Sequence, residues 1–246
     1  MKVDLLSLPS RRRPDSFAGR ACAVFDVLRA TTTMTAALAA GVAEIRIFPD
    51  TDAARRAADD GGPPRPLLCG EAQCLPPAGF DLGNSPGAFD RSLKDRTLFM
   101  STTNGTRAIL AAREAGLLLV GALVNASAVA RAVAASGLDL TLLCAGTNGQ
   151  AAMEDLLGAG AVIAALKHQA DMHPQGDLPL IAHRLFEHEK NDLRSALRRT
   201  RGGQNVIAAG LEVDIDFAAS IDRFPKVVGR AEGSTIRRFS AGGGPG

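Results

Sequence analysis

Short apolar runs alternate with longer Ala-rich runs of helical spacing almost from end to end of this chain. The apolar runs at 3–8, 21–27, 44–48, 66–69, 97–101, 117–120 and 138–144 predict strands. The runs at 32–40, 51–59, 105–114, 127–136, 151–169, 178–200 and 203–211 predict helices. Asp50 and Asn125 suit helix N-caps, and Gly41, Gly116 and Gly137 suit helix stops. Strands apolar on both faces and joined by helices imply a largely parallel sheet covered on both sides. That is an α/β fold in three layers, α/β/α. Ligands of such sheets bind beyond the carboxyl ends of the strands, where the polar motifs of this chain fall.

Two of those motifs stand out: residues 26–33 (DVLRATTT) and 101–107 (STTNGTR). Each follows a predicted strand and leads into a predicted helix. A helix start offers free N–H groups and the positive end of its dipole to an anion. Thr31, Thr32, Thr33, Ser101, Thr102, Thr103, Asn104, Gly105 and Thr106 add hydroxyl, amide and backbone donors, and Arg29 and Arg107 add charge. The Thr-Asn-Gly turn recurs at 147–149, which puts Thr147 on the same predicted rim. Asp26 brings the opposite tendency, toward a cation. It reads as a metal ligand or a catalytic carboxylate, with pairing to Arg29 as the plain structural reading. Glu154 and Asp155 open the next helix, where acids stabilise the dipole anyway. With Asp26 and Glu71 on one rim, they form a reasonable ligand set for Mg²⁺, which takes a few carboxylates plus water and substrate oxygens. The long loop 70–86 carries Glu71, Asp81 and Asn84 and ends in Ser85-Pro86, a cap before proline at a first helical position.

Composition narrows the field. The 246 residues suffice for one sizeable α/β core, assigned to residues 1–240, with 241–246 as a glycine-rich tail expected to be disordered. A net charge of +2 gives no reason to expect nucleic acid, and the absence of Trp and Tyr removes most stacking platforms. Arg11-Arg12-Arg13 reads as a solvated loop. No apolar run reaches 18 residues and the start lacks a signal-peptide pattern, so neither membrane nor export is expected. Cys22, Cys69, Cys74 and Cys144 form no CxxC pair, which fits a reduced, cytoplasmic protein.

Other signals fail. The stretch 158–164 (GAGAVIA) has a dinucleotide-like spacing but lies inside a predicted helix, and no GxxxxGK[ST] occurs. Position 28 is Leu, so the second aspartate of a DxDxT phosphatase nucleophile is missing. His168, His173, His183 and His188 read as solvated helix residues.

The segments 26–33, 79–86 (GFDLGNSP), 101–107, 144–149 followed by Met153-Glu154-Asp155, and 210–222 (GLEVDIDFAASID) resemble the ComB family, the 2-phosphosulfolactate phosphatases. They occur in the family's order and span most of the chain. The resemblance implies an α/β/α fold, Mg²⁺ dependence, a role in coenzyme M biosynthesis, and hydrolysis of a phosphomonoester beside a carboxylate and a sulfonate. On this reading Asp26, Arg29, Glu154 and Asp155 are the candidate catalytic residues, and Asp26 and Glu71, with Asp155 or Glu154, are the candidate metal ligands. Two departures stand out. The family's Gly-Glu-Arg-Gly-Gly is replaced here by Gly70-Glu71-Ala72-Gln73-Cys74, which removes a basic group. Gly158 and Ala218 stand where relatives often show cysteine, which argues against a catalytic thiol. The expected partner is a small anionic phosphomonoester, and a homodimer is the default assembly. The rival readings are a phosphatase of this fold with another substrate and a non-catalytic anion-binding homologue.

Overall fold

Period-two alternation within strands buried on both faces sorts their side chains between two cores. The computed structural model describes residues 1–12 and 16–239; Arg13 and Pro14 of the basic segment and the glycine-rich tail lie outside the described residues. In β2 (Ala21–Phe25) every residue is buried. Ala21, Ala23 and Phe25 enter one core, and Cys22 and Val24 enter the other. Both faces are therefore covered, as the continuous apolar runs require.

Among the described residues ten strands form one sheet. Its order is β4 (Leu67–Gly70), β5 (Thr97–Ser101), β3 (Glu44–Ile47), β10 (Thr235–Arg238), β9 (Gly229–Glu232), β6 (Leu117–Gly121), β2, β7 (Leu140–Cys144), β1 (Lys2–Leu6) and β8 (His173–Pro174). The pairs on either side of β9 and β10 are parallel. Those two strands form an antiparallel hairpin wedged between β6 and β3. Helices α1 (Ala30–Ala40) and α3 (Gly105–Ala111) pack on one face; α4 (Ala126–Ser136), α5 (Met153–Leu166) and α6 (Leu178–Glu189) pack on the other. The three-layer α/β/α expectation holds, with the sheet mostly parallel.

Several local expectations need correction. The hairpin β9–β10 went unpredicted because only Ala231 and Ile236 among its eight positions carry apolar side chains into the core. The helix expected over 178–200 divides into α6 and α7 (Leu193–Arg199), because Asp192 caps a new start by accepting from the Ser195 N–H at 3.1 Å. Asp50 caps α2 (Thr51–Asp59) as expected, and Gly41 and Gly137 end α1 and α4 in the left-handed conformation. Gly116 stops no helix: α3 ends earlier, and the Gly116 N–H donates to the Arg20 carbonyl at 2.9 Å.

Asn125 stands at the N-cap position of α4 as expected, but its side chain makes no capping bond to that helix. It is fully buried, and its Oδ1 accepts from the Ala122 N–H at 2.8 Å. Its Nδ2 donates to the carbonyls of Val120 and Val227 and to the Thr35 hydroxyl. One amide thus joins the end of β6, helix α1 and the segment entering β9. Asn125→Ala strands these partners out of water, so we expect a loss on the order of 2–4 kcal/mol, read as a lower urea midpoint without a change in slope.

Candidate active site

The turns after β2, β4, β5 and β7 meet at the carboxyl edge of the sheet around a cavity of about 500 Å³. Asp26 and Arg29 line it from the first turn and Glu71 from the second. Thr103 and Asn104 come from the third, Thr147 and Asn148 from the fourth. Helix α8 (Arg201–Ala208) closes one side with Gly202 and Asn205, and Gln73, Cys74, Leu75 and Asn84 supply another wall.

Asp26 is held at the starts of two helices. Its Oδ1 accepts from the Ala30 N–H at 3.3 Å, and the Gly105 N–H also donates to it. A Cβ at Gly105 would stand 2.5 Å from the Ala30 Cβ and 2.8 Å from Asp26 Oδ2, so only glycine lets the second helix start approach. Burial nevertheless pushes the Asp26 carboxyl up to about 7, and the nearby Glu71 and Glu154 charges add to that rise. Glu154 is only 1% exposed, and burial raises it as well. Its carboxylate sits against α8: a Cβ at Gly202 would come within 2.0 Å of Oε1. Its Oε2 has no hydrogen-bond partner. Glu154 stands outside the cavity lining, and its Oε1 accepts from the hydroxyl of Thr147, which does line it.

The remaining acids are already bound to backbone. Asp155 accepts from the Val27 N–H through Oδ1 and from the Gly146 N–H through Oδ2, both at 2.9 Å. It therefore clamps the β2 and β7 turns together and does not line the cavity. Burial, with Asp26 and Glu154 beside it, keeps its carboxyl well above the usual range. Glu71 does line the cavity, with Oε1 accepting from the Thr103 N–H at 2.7 Å and Oε2 from the Cys74 N–H at 3.0 Å.

The threonine-rich motifs divide differently from the sequence expectation. Thr31, Thr32 and Thr33 are fully buried and outside the lining. The Thr31 hydroxyl accepts from the Asp26 N–H, the Thr32 hydroxyl donates to the Val27 carbonyl and the Thr33 hydroxyl to the Asn84 carbonyl. Hydroxyls near a helix start bond readily to local backbone, and here that leaves none for a ligand. Ser101, Thr102 and Thr106 are buried too, and Thr102 and Thr106 bond each other's backbone. Arg107 is exposed on the outer side of α3 and does not reach the cavity. Only Thr103, Asn104 and Thr147 of the expected polar set line it, with Gly105 held against Asp26.

Arg29 lies in the cavity wall, and its side chain is only 2% exposed. Its Nη1 donates to Asp214 Oδ2 at 2.6 Å and to the Ser85 hydroxyl at 3.1 Å, and its Nη2 donates to the Cys74 carbonyl. The sequence reading assigned no role to Asp214, Gly202 or Asn205. Asp214 lay within the 210–222 motif, and the other two sat in a helix with no chemical signal.

A cavity lined by Asp26, Glu71 and Arg29 at the strand ends of a mostly parallel α/β/α sheet lies where small molecules bind in folds of this kind. The comparisons with known proteins agree in kind. The family model described as 2-phosphosulpholactate phosphatase matches residues 7–233. A probable 2-phosphosulfolactate phosphatase of Symbiobacterium thermophilum is 35% identical over 208 residues, covering 84% of this chain and 89% of the relative. Those of Synechococcus (37% over 212 residues, 84% and 87%) and Thermotoga maritima (34% over 218 residues, 88% and 92%) are similarly close. This chain belongs to the 2-phosphosulfolactate phosphatase family.

The raised Asp26 carboxyl has a consequence for stability. The unfolded chain ionises Asp26 from pH 3.8 upward, whereas the folded chain keeps its proton until about 7. Between these values the native state binds more protons, so this group makes stability fall as pH rises. In chelator, the unfolding free energy of Asp26→Asn should decline less from pH 4 to 7 than that of the wild type, by on the order of a few kcal/mol. Parallel pH profiles for the two proteins would refute the assignment.

Proposed function

We propose that this protein is a Mg²⁺-dependent phosphatase that cleaves 2-phosphosulfolactate, or a closely similar small acidic phosphomonoester, to the free alcohol and phosphate. The observation that carries the reading is the pair of acids in the cavity lining, Asp26 raised by burial and neighbouring acids and Glu71, with buried Glu154 close behind Asp26 and its Oε2 without a partner. Among the described residues no three His, Cys, Asp or Glu side chains converge into a ready metal cage. The protein would therefore supply only one or two carboxylates, and Mg²⁺ would keep waters and substrate phosphate oxygens in the rest of its shell. Asp26 and Glu154 would hold it, with Glu71 at the rim. Asp155, one of the ligands expected from sequence, serves as the clamp beneath them. When bound there, Mg²⁺ supplies Lewis-acid polarisation of the phosphoryl group.

The chain's own groups do the rest. Arg29 offers positive charge to the phosphoryl oxygens from the wall. The Thr103 hydroxyl and the Asn104 amide present donors just before α3, while the Thr147 hydroxyl donates to Glu154 Oε1. Among the described residues no helix is long and apolar enough to cross a membrane.

Phosphate release from 2-phosphosulfolactate should require Mg²⁺ and stop with chelator. Glu154→Gln should lose most of the Mg²⁺ stimulation while keeping a cooperative thermal transition. Thermal stabilisation by the compound with no phosphate released in saturating Mg²⁺ would favour the non-catalytic anion binder instead.

A further inference from the structure

Arg29 is the cationic side chain of the cavity lining, and two acids of the same lining, Asp26 and Glu71, are within its electrostatic neighbourhood at Cys74. Its guanidinium hydrogen bonds go to neither of them. Asp214 of α9 (Val213–Ala218), 185 positions away in the chain, takes Arg29 Nη1 at 2.6 Å. Both side chains are buried, at 2% and 3% exposure. The Ser85 hydroxyl closes a ring, accepting from Arg29 Nη1 and donating to Asp214 Oδ2 at 2.8 Å. With the Cys74 carbonyl on Nη2, three of the five guanidinium N–H donors are committed. Nε–H and one Nη2–H remain for an oxyanion.

We propose that Asp214, with Ser85 as its bridge, is a positioning residue. It holds Arg29 in the wall, away from Asp26 and Glu71, with two donors kept for the phosphoryl group. This rests on the reading of the cavity as a phosphoryl site. Asp214 acts only through Arg29, so its contribution disappears when Arg29 is gone.

A double-mutant cycle tests this, with inorganic phosphate as the probe and calorimetric affinity as the readout, in Mg²⁺ buffer. Asp214→Asn and Arg29→Ala should each weaken phosphate binding roughly tenfold or more, and the double variant should be no weaker than Arg29→Ala alone. Asp214→Glu should recover part of the loss. Urea midpoints measured on the same samples separate folding defects from this coupling. Phosphate affinity of folded Asp214→Asn within about twofold of wild type, or losses that multiply in the double variant, would overturn the proposal. Should Asp214→Asn not fold, Ser85→Ala takes its place in the cycle, since it removes the bridge and keeps the ion pair. Its loss must likewise vanish in the Arg29→Ala background, and a multiplying loss overturns the proposal. Phosphate release by the wild-type preparation separates the two claims. Coupling without release defeats the phosphatase reading and leaves the role of Asp214 standing, and release without coupling does the reverse.

Discussion

Burial of Asp26, Glu154 and Asp155 at neighbouring strand ends is the constraint to which the rest of the site answers. An ionised carboxylate out of water must find donors or a cation, or else keep its proton. The three acids meet this in three ways. Asp155 takes two backbone N–H groups and in doing so locks the β2 turn to the β7 turn. Asp26 takes the N–H groups that open α1 and α3, yet still has its carboxyl raised to about 7. Glu154 is pressed against α8 with one oxygen bare. Charge is thus most fully satisfied at Asp155, beneath the site, and least satisfied at Glu154, behind the cavity wall.

A nearby arginine would ordinarily relieve such a cluster. Arg29 is near enough to act electrostatically on Cys74, as are Asp26 and Glu71, but its hydrogen bonds go to Asp214, Ser85 and the Cys74 carbonyl. The site therefore separates its charges instead of cancelling them. Breaking a buried pair by removing one partner costs about 3–5 kcal/mol, so truncating Arg29 harms the fold as well as the cavity. Turnover alone is a poor measure of what this side chain does.

The layers, seven of the strands and the location of the site were legible in the sequence, because apolar runs and strand-end motifs follow from local periodicity. The hairpin β9–β10 was not, since its strands place only Ala231 and Ile236 in the core and their neighbours are Arg and Glu. The cavity's carboxylates Asp26 and Glu71 could be read from their position after strands. The threonines could not be resolved the same way. A hydroxyl at a helix start faces backbone or ligand with equal chemical plausibility, and Thr31, Thr32 and Thr33 all turned to backbone. Arg107 failed for a related reason: at the third position of α3 the helical turn carries it to the exposed side.

The segments that resemble the family are scattered through the sequence but bonded to one another in space. Thr33 donates to the carbonyl of Asn84; Arg29 binds Ser85 and Asp214; Asp155 joins Val27 to Gly146. Residues 26–33, 79–86, 144–149 and 210–222 thus build one scaffold. The segment that departs from the family pattern, Ala72-Gln73-Cys74-Leu75, behaves differently. Gln73, Cys74 and Leu75 line the cavity, Gln73 and Leu75 are exposed, and the ties of this stretch to the scaffold run through backbone groups such as the Cys74 carbonyl. Side chains there can change without disturbing the carboxylates or Arg29. The fold therefore places its fixed chemistry in the turns after β2 and β7 and its freedom to vary in the loop after β4. That loop is where a difference in substrate between this chain and its relatives would be written.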